Sequence, residues 1–366
     1  MINDHLPGTS CSIHGRSRVD EFSERSPDKS CVGDVIDDCT EVASASISSP
    51  HDDDAGKQRG RVSVLILMCT YNGQVFLEKQ LESINSQTCR DWHVAIFDDG
   101  SQDETLNIAK RYRLKWGAQK ISLWQGPGQG FAKNFISSVC KKELIADHYA
   151  WCDQDDVWHE QKLQAALTWL TSVPENIPAL YLGRTQLVDS LGVALGYSPL
   201  FQRPPSFANA IVQNIGGGNT MVLNHAARIL LEKAGEGLEV VSHDWWAYLL
   251  VTGAGGNVFY DPSPYVMYRQ HAGNLVGANS NLRAKLIRLK MMFQGRFKLW
   301  NSINIENLDK VIGSLSHENR EILERFKALR GETFTRRLTG FKQSGIYRQT
   351  RLGNLSLIMA VLMGKV

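Results

Sequence analysis

An open α/β sheet with helices packed on both faces is the fold class this sequence predicts, and two patterns predict it. From residue 61 onward, short apolar runs alternate with stretches of helical periodicity, and polar turns follow the runs. The apolar runs 62–68, 92–97, 120–124 and 148–152 read as strands, and 74–85, 103–114, 129–140 and 160–170 read as the helices that follow them. Regular alternation of this kind means parallel pairing, because a parallel crossover needs a connection of helix length. Beyond Pro178 the rhythm loosens. A strand is expected over 179–188, then a turn at Arg203-Pro204-Pro205, then Gly216-Gly217-Gly218-Asn219 leading into an apolar run at 220–223. That glycine run lacks the Lys and Ser/Thr of a phosphate loop, and it reads equally as a close backbone approach to a ligand or as a structural kink. Ser242-His243-Asp244-Trp245-Trp246 opens an apolar helix, and Tyr268-Arg269-Gln270-His271-Ala272-Gly273-Asn274 follows a strand.

With 366 residues, 43% hydrophobic content and nine Trp, the chain has enough apolar material for one large domain or two modest ones. The formal charge of +2 conceals an asymmetry. Residues 1–60 carry 12 acidic and 6 basic side chains, whereas residues 281–366 carry 6 acidic and 17 basic. The first 60 residues, rich in Ser, Asp, Gly and Pro, are expected to form a disordered or loosely attached leader. No apolar run reaches the ~18–20 residues that span a bilayer, and the N-terminus lacks a secretory pattern, so a cytoplasmic location is expected. Seven scattered cysteines without a CxxC pair disfavour a disulfide framework or a zinc site, and Cys69 and Cys152 are expected to be packing residues.

Chemistry concentrates where the strands end. Asp153-Gln154-Asp155-Asp156 places three carboxylates directly after the run Tyr149-Ala150-Trp151. Like charges packed so closely repel, which points to a cation among them. In extended backbone Asp153 and Asp155 would face the same way. Hard oxygen donors in small number suit Mg²⁺ or Mn²⁺ shared with the phosphates of a ligand, although an acidic turn capping the next helix accounts for the cluster taken alone. Thr70-Tyr71-Asn72-Gly73 follows the first strand and Asp98-Asp99-Gly100-Ser101 the second, so three loops share the edge on which open α/β sheets bind ligands.

Taken together, Thr70-Tyr71-Asn72, Asp98-Asp99-Gly100-Ser101, Asp153-Gln154-Asp155-Asp156, His243-Asp244 and Tyr268-Arg269-Gln270-His271 resemble family 2 nucleotide-sugar glycosyltransferases of the GT-A fold. The wording DQDDVW, HDWW and YRQH is most similar to bacterial rhamnosyltransferases of polysaccharide and O-antigen assembly. The resemblance spans roughly residues 61–275 and implies a Rossmann-like nucleotide-binding sheet at 61–278 followed by a basic helical region at 279–366. It implies that Thr70, Tyr71, Asn72, Asp98, Asp99, Lys133 and Asp153 line the nucleotide site, with Tyr71 against the base and Asp99 on its imide nitrogen. Asp153, Asp155 and His271 would hold the metal, with Asp156 as a helper, and Arg269 and His271 would close over the diphosphate. Asp244 matches the general base, which an inverting transfer needs opposite the leaving diphosphate; as a plain helix cap it would need no such role. The chain departs from the processive synthases of the family, having YRQH in place of QxxRW, which favours transfer of a single sugar.

The implied activity is transfer of a deoxyhexose such as L-rhamnose, from dTDP-rhamnose, onto a growing and lipid-linked surface glycan. Two other readings use the same sheet: a sugar-nucleotide nucleotidyltransferase, for which no glycine-rich basic loop follows the first strand, and a non-catalytic nucleotide- or glycan-binding subunit, which would not need Asp244. After Asn279, Leu282, Leu286, Leu289, Met292 and Phe293 interleave with Arg283, Lys285, Arg288, Lys290 and Arg296, and a second basic group precedes an apolar stretch at 355–363. Such segments suit an anionic membrane surface, which places the protein peripherally on the inner face of the cell membrane; ordinary helices packed on the catalytic domain would show the same amphipathicity. Nucleic acid is not an expected partner, since no binding module is present.

Overall fold

The first strand sets the architecture. In the computed structural model, which describes residues 62–271, 295–331 and 333–366, β1 (Val62–Thr70) lies between β2 (Trp92–Asp98) and β4 (Ala146–Asp153), parallel to both. Its alternate residues divide between two apolar layers. Val64, Ile66 and Met68 pack against α1 (Leu77–Asn85), α2 (Thr105–Trp116) and α4 (Lys162–Leu170), whereas Leu65, Leu67 and Cys69 face α3 (Phe131–Cys140) and the helices beyond it. A strand covered on both faces has no polar side to show, which is why its sequence is a continuous apolar run.

β3 (Ile121–Gln125) pairs with β2 on the outer side, so the chain fills the order β3-β2-β1 and then crosses to the other side of β1 for β4. That reversal leaves a crevice outside the carboxyl ends of β1 and β4, the position where such sheets bind ligands. Register keeps the strand ends level: Thr70 pairs with Asp98, Cys69 with Asp153, and Asp98 with Gln125.

Past β4 the sheet is mixed rather than parallel. β8 (Val222–Asn224) inserts antiparallel between β4 and β6 (Ala179–Val188), and β6 runs parallel to β9 (Asn257–Arg269). Two short antiparallel strands, β5 (Val157–Trp158) on β9 and β7 (Ala194–Tyr197) on β6, complete it. Between them lie α5 (Phe207–Ala210), α6 (His225–Ala234) and α7 (His243–Gly253), the last buried along nearly its whole length. The alternating first half and the mixed second half make one α/β sheet, with helices added at the C-terminus.

The described C-terminal helices are α8 (Arg296–Lys310), α9 (His317–Gly331), α10 (Phe334–Ser344) and α11 (Arg351–Leu362). Their inner faces join the same apolar cluster as Trp245 and Trp246, through Leu308, Leu323, Phe326, Leu329, Leu357 and Val361. The 345–350 connection is bonded to the segment before α5, with Gln349 spanning Arg203 and Tyr347 reaching Ser206. Replacing Phe326, which is 0% exposed, with Ala is expected to cost about 3–5 kcal/mol in urea unfolding, the range for a fully buried aromatic. A loss near zero would mean that these helices do not share the core.

The leader at 1–60 lies outside the described residues, as do the basic segment from Arg283 to Lys290 and the residues Ala272, Gly273 and Asn274. No described helix is long and apolar enough to cross a membrane. Cys69 and Cys152 are buried, and burial pushes both thiols well above their usual range, the behaviour of packing residues rather than nucleophiles.

Candidate active site

The first two loops are built as one unit. Thr70 Oγ1 donates to Asp98 Oδ2 at 2.7 Å, and Asp98 also accepts from the hydroxyl and backbone N–H of Ser101. Asn72, in the left-handed region at φ 49°, donates its N–H to Ser101 Oγ and accepts from Gln102 N–H, so its side chain replaces a turn bond. Asp99 reaches the other way. Its carboxylate accepts from Gly128 N–H at 2.6 Å and Gly130 N–H at 2.8 Å, drawing the β3–α3 loop to the same edge. Tyr71, 57% exposed, offers its ring at the rim of the crevice.

The acidic segment is shaped differently from the expectation of extended backbone. β4 ends at Asp153 and the chain bends at 154–155, so the alternation that would aim Asp153 and Asp155 together stops there. Gln154 occupies the bend and grips the first loop, its amide accepting from Tyr71 N–H and donating to Tyr71 O, each at 2.9 Å. A side chain at Gly73 would collide with it, since a Cβ there would fall 2.2 Å from Gln154 Oε1. Asp155 faces His271 instead, with Nε2 to Oδ2 at 2.8 Å. Asp156 is fully buried, accepting from Asn219 Nδ2 at 2.5 Å and Arg269 N–H at 3.2 Å. Burial and the neighbouring Asp155 push its carboxyl up to about 7, and burial with the charges of Asp156, Asp155 and Asp244 pushes Asp153 well above the ordinary carboxylate range.

Asp244 stands in the first turn of α7, but the N-cap position belongs to Ser242. Asp244 therefore does not occupy the cap position, and Ser242 makes no side-chain cap bond there. Asp244 is partly exposed, and its Oδ1 accepts from Trp245 N–H at 2.7 Å. What aims it is His243, whose ring stacks on Phe135 at 4.1 Å and meets Trp151 edge-on at 4.8 Å, fixing the start of α7 beside the end of β4. The glycine run supplies the roof. A Cβ on Gly218 would lie 2.1 Å from His243 Nε2, so the close backbone approach there is to a side chain of the protein. Among the described residues both ring nitrogens of His243 lack hydrogen-bond partners, and burial pulls the imidazole down to about 4, so it is neutral at pH 7.

Two residues expected at the phosphates are committed elsewhere. The Arg269 guanidinium, buried, donates from Nε to Asp155 O and from Nη1 to Ser190 O, and lies 4.8 Å over the Phe76 ring. It fastens the acidic loop to the β6–β7 turn. Lys133 Nζ donates to Leu238 O at 2.9 Å and pairs with Glu239, so the start of α3 is tied to the α6–α7 connection. Asn134, in the same turn, donates to Phe97 O.

Lys162 is a residue that charge patterning does not single out. It is 1% exposed, its Nζ has no hydrogen-bond partner among the described residues, and it lies 3.6 Å over the Trp158 ring. Burial pulls the ammonium down to about 7. The unfolded chain holds that proton up to a pH near 10.5, so this group lowers stability by a few kcal/mol near pH 7, and the deficit shrinks as pH rises towards 10.5. Lys162→Met is expected to raise the urea midpoint at pH 7 and to lose that advantage by pH 10; a pH-independent difference would contradict the assignment.

Among the described residues, no three His, Cys, Asp or Glu side chains converge as a ready-made metal cage. The donors that do meet, Asp155 and His271, fit a divalent cation that takes its remaining ligands from a diphosphate and water, and burial together with neighbouring carboxylates holds Asp153 and Asp156 above the ordinary range.

The level strand edge therefore gathers the loops after β1, β2 and β4, with their carboxylates, in one place. Residues 65–183 match the model of Glycosyl transferase family 2; the chain carries a domain of that family, and the protein is a glycosyltransferase. It is 28% identical over 236 residues to dTDP-rhamnosyl transferase RfbG of Shigella flexneri, covering 62% of this chain and 78% of that relative. It is 31% identical over 109 residues to the putative glycosyltransferase EpsE of Bacillus subtilis, covering 29% of this chain but only 38% of that protein. Among solved structures it is similar to S. aureus TarS 1–349 in complex with UDP, with TM-score 0.47, 17% identity, and 83% and 80% of the two chains covered. A mannosyltransferase from Pyrobaculum calidifontis in complex with GDP-Man and Mn²⁺ aligns at TM-score 0.44 and 17% identity over 83% and 86%.

Proposed function

We propose that the protein is an inverting, metal-dependent transferase that moves a deoxyhexose, L-rhamnose from dTDP-rhamnose, to a hydroxyl of a growing, lipid-linked surface polysaccharide. The observation that carries this reading is the meeting of Asp155 with His271 at strand ends that also bear Asp153, with Asp244 presented from the first turn of α7 on the same cluster. The dTDP-rhamnose donor is supported by the likeness to RfbG over 78% of that protein.

In this reading residues 61–278 form the transferase domain and 279–366 a basic helical region. Tyr71 lies along the nucleobase, and Asp99, already anchored by Gly128 and Gly130, accepts a hydrogen bond from the imide N–H of the base. Asp155 and His271 would hold Mg²⁺ or Mn²⁺, which when bound would neutralise charge growing on the leaving group. Asp244 removes the proton of the acceptor hydroxyl as that oxygen attacks the anomeric carbon from the face opposite the diphosphate. Arg269 and Gln154 do no chemistry; they keep the acidic loop fixed between Tyr71 and the β6–β7 turn, as preorganised sites require. The acceptor is met at the inner face of the cell membrane, approached peripherally.

The test is transfer of radiolabelled sugar from dTDP-rhamnose, UDP-glucose and GDP-mannose to lipid-linked glycan extracted from bacterial membranes, with and without Mn²⁺. Metal-dependent transfer from dTDP-rhamnose alone is expected. Transfer only from a UDP or GDP sugar would overturn the donor assignment.

A further inference from the structure

The C-terminal helices leave an apolar face uncovered. α11 buries Leu357, Ala360 and Val361 in the core, yet its opposite side carries Leu352, Leu355 and Met359 at 63%, 57% and 44% exposure. A surface helix in water normally turns polar residues outward. α10 repeats the pattern, with Phe334 and Leu338 exposed one turn apart, and Arg337 Nη1 ties the two helices together by donating to Leu362 O at 3.2 Å. Around these apolar residues the charge has one sign. Residues 333–366 contain six basic side chains and no acidic one, and Arg336, Lys342 and Arg351 are exposed beside the apolar stripe.

We propose that the outer faces of α10 and α11 are a docking surface for an anionic lipid bilayer. Exposed Leu, Met and Phe side chains suit the boundary between headgroups and acyl chains, and a basic rim is drawn to anionic headgroups. A second copy of the chain is a poorer occupant, because a two-fold contact would set this basic rim against itself with no acidic residue in the segment to pair with it. Nucleic acid would use the arginines and leave the apolar stripe unsatisfied. The inference deepens the reading above by naming the surface on which a lipid-linked acceptor is met, and rests on that reading only for the acceptor.

The experiment is co-sedimentation of the full chain with vesicles of phosphatidylglycerol mixed with phosphatidylcholine, and with phosphatidylcholine alone. Binding to the anionic vesicles only is expected. The triple variant Arg336→Gln, Lys342→Gln, Arg351→Gln should bind about a hundredfold more weakly, at about fivefold for each charge removed from an anionic surface. Leu355→Ser with Met359→Ser should also release the protein, and because both side chains are exposed its melting temperature should stay near that of the wild type. Equal binding by the variants, equal binding to neutral vesicles, or a wild-type dimer by light scattering that Leu355→Ser dissolves would each overturn the proposal. Sugar transfer to a detergent-solubilised acceptor separates the two readings: vesicle binding without any transfer by the wild type would remove the transfer assignment and leave the docking surface standing.

Discussion

Asp244→Asn is expected to lower the rate of sugar transfer by about 10²–10⁴-fold, the contribution of a positioned general base. The substitution is chosen because it spares the structure. Asn retains the Oδ1 that accepts from Trp245 N–H, and the rest of α7 is held by burial from Trp245 to Val251. Nucleotide binding should be unchanged, since the proposed mechanism has Asp244 act on the acceptor hydroxyl and not on the donor. Initial rates at saturating donor, read beside thermal stabilisation by the nucleotide, separate the two effects. A rate within a few-fold of wild type would remove Asp244 from the chemistry and leave the base unassigned.

Asp155→Asn carries the second large effect. The carboxylate faces His271 at 2.8 Å, so removing its charge takes away the anionic member of the proposed metal pair. A bound cation contributes several kcal/mol to a transition state that develops charge on a diphosphate, so a rate loss on the order of 10²–10⁴ is expected. The specific signature is chelator sensitivity: EDTA should bring the wild type down to the level of the variant and leave the variant unmoved. Full activity of Asp155→Asn that still responds to EDTA would place the metal on other residues.

Much of this architecture is legible in the sequence because its strands are covered on both faces. The runs around Val64, Val94 and Tyr149 have no polar side, and each is followed by a turn whose Asn, Asp or Gly residues announce the sheet edge. The second half is less legible. β8 spans Val222–Asn224 and β5 only Val157–Trp158, too short to show any period, and the antiparallel insertion of β8 depends on contacts distant in sequence. Within the site, the three loops converge as their placement predicts. The functions of Arg269 and Lys133 did not follow from sequence, because what decides them lies far along the chain: the carbonyl of Ser190 for one, Leu238 and Glu239 for the other. Gln154 carries no charge and no pattern, yet it locks the first loop to the acidic one; the only local hint is the glycine at position 73, whose missing side chain leaves room for it. The glycine run reads as an approach to a ligand or a kink, whereas at Gly218 the neighbour is the side chain of His243, which lies too far along the chain to be read locally.

The central claim is a donor site at this strand edge that needs both nucleotide and metal. It is tested most directly by the melting temperature of the purified protein with dTDP, UDP and GDP, each with and without Mn²⁺. Ligands that bind only the folded state raise its stability by mass action, about 2.7 kcal/mol at a hundredfold excess over Kd. The account predicts a rise of several degrees that requires Mn²⁺ and is largest with dTDP, whereas a melting temperature unmoved by every nucleotide, or moved equally without metal, would contradict it.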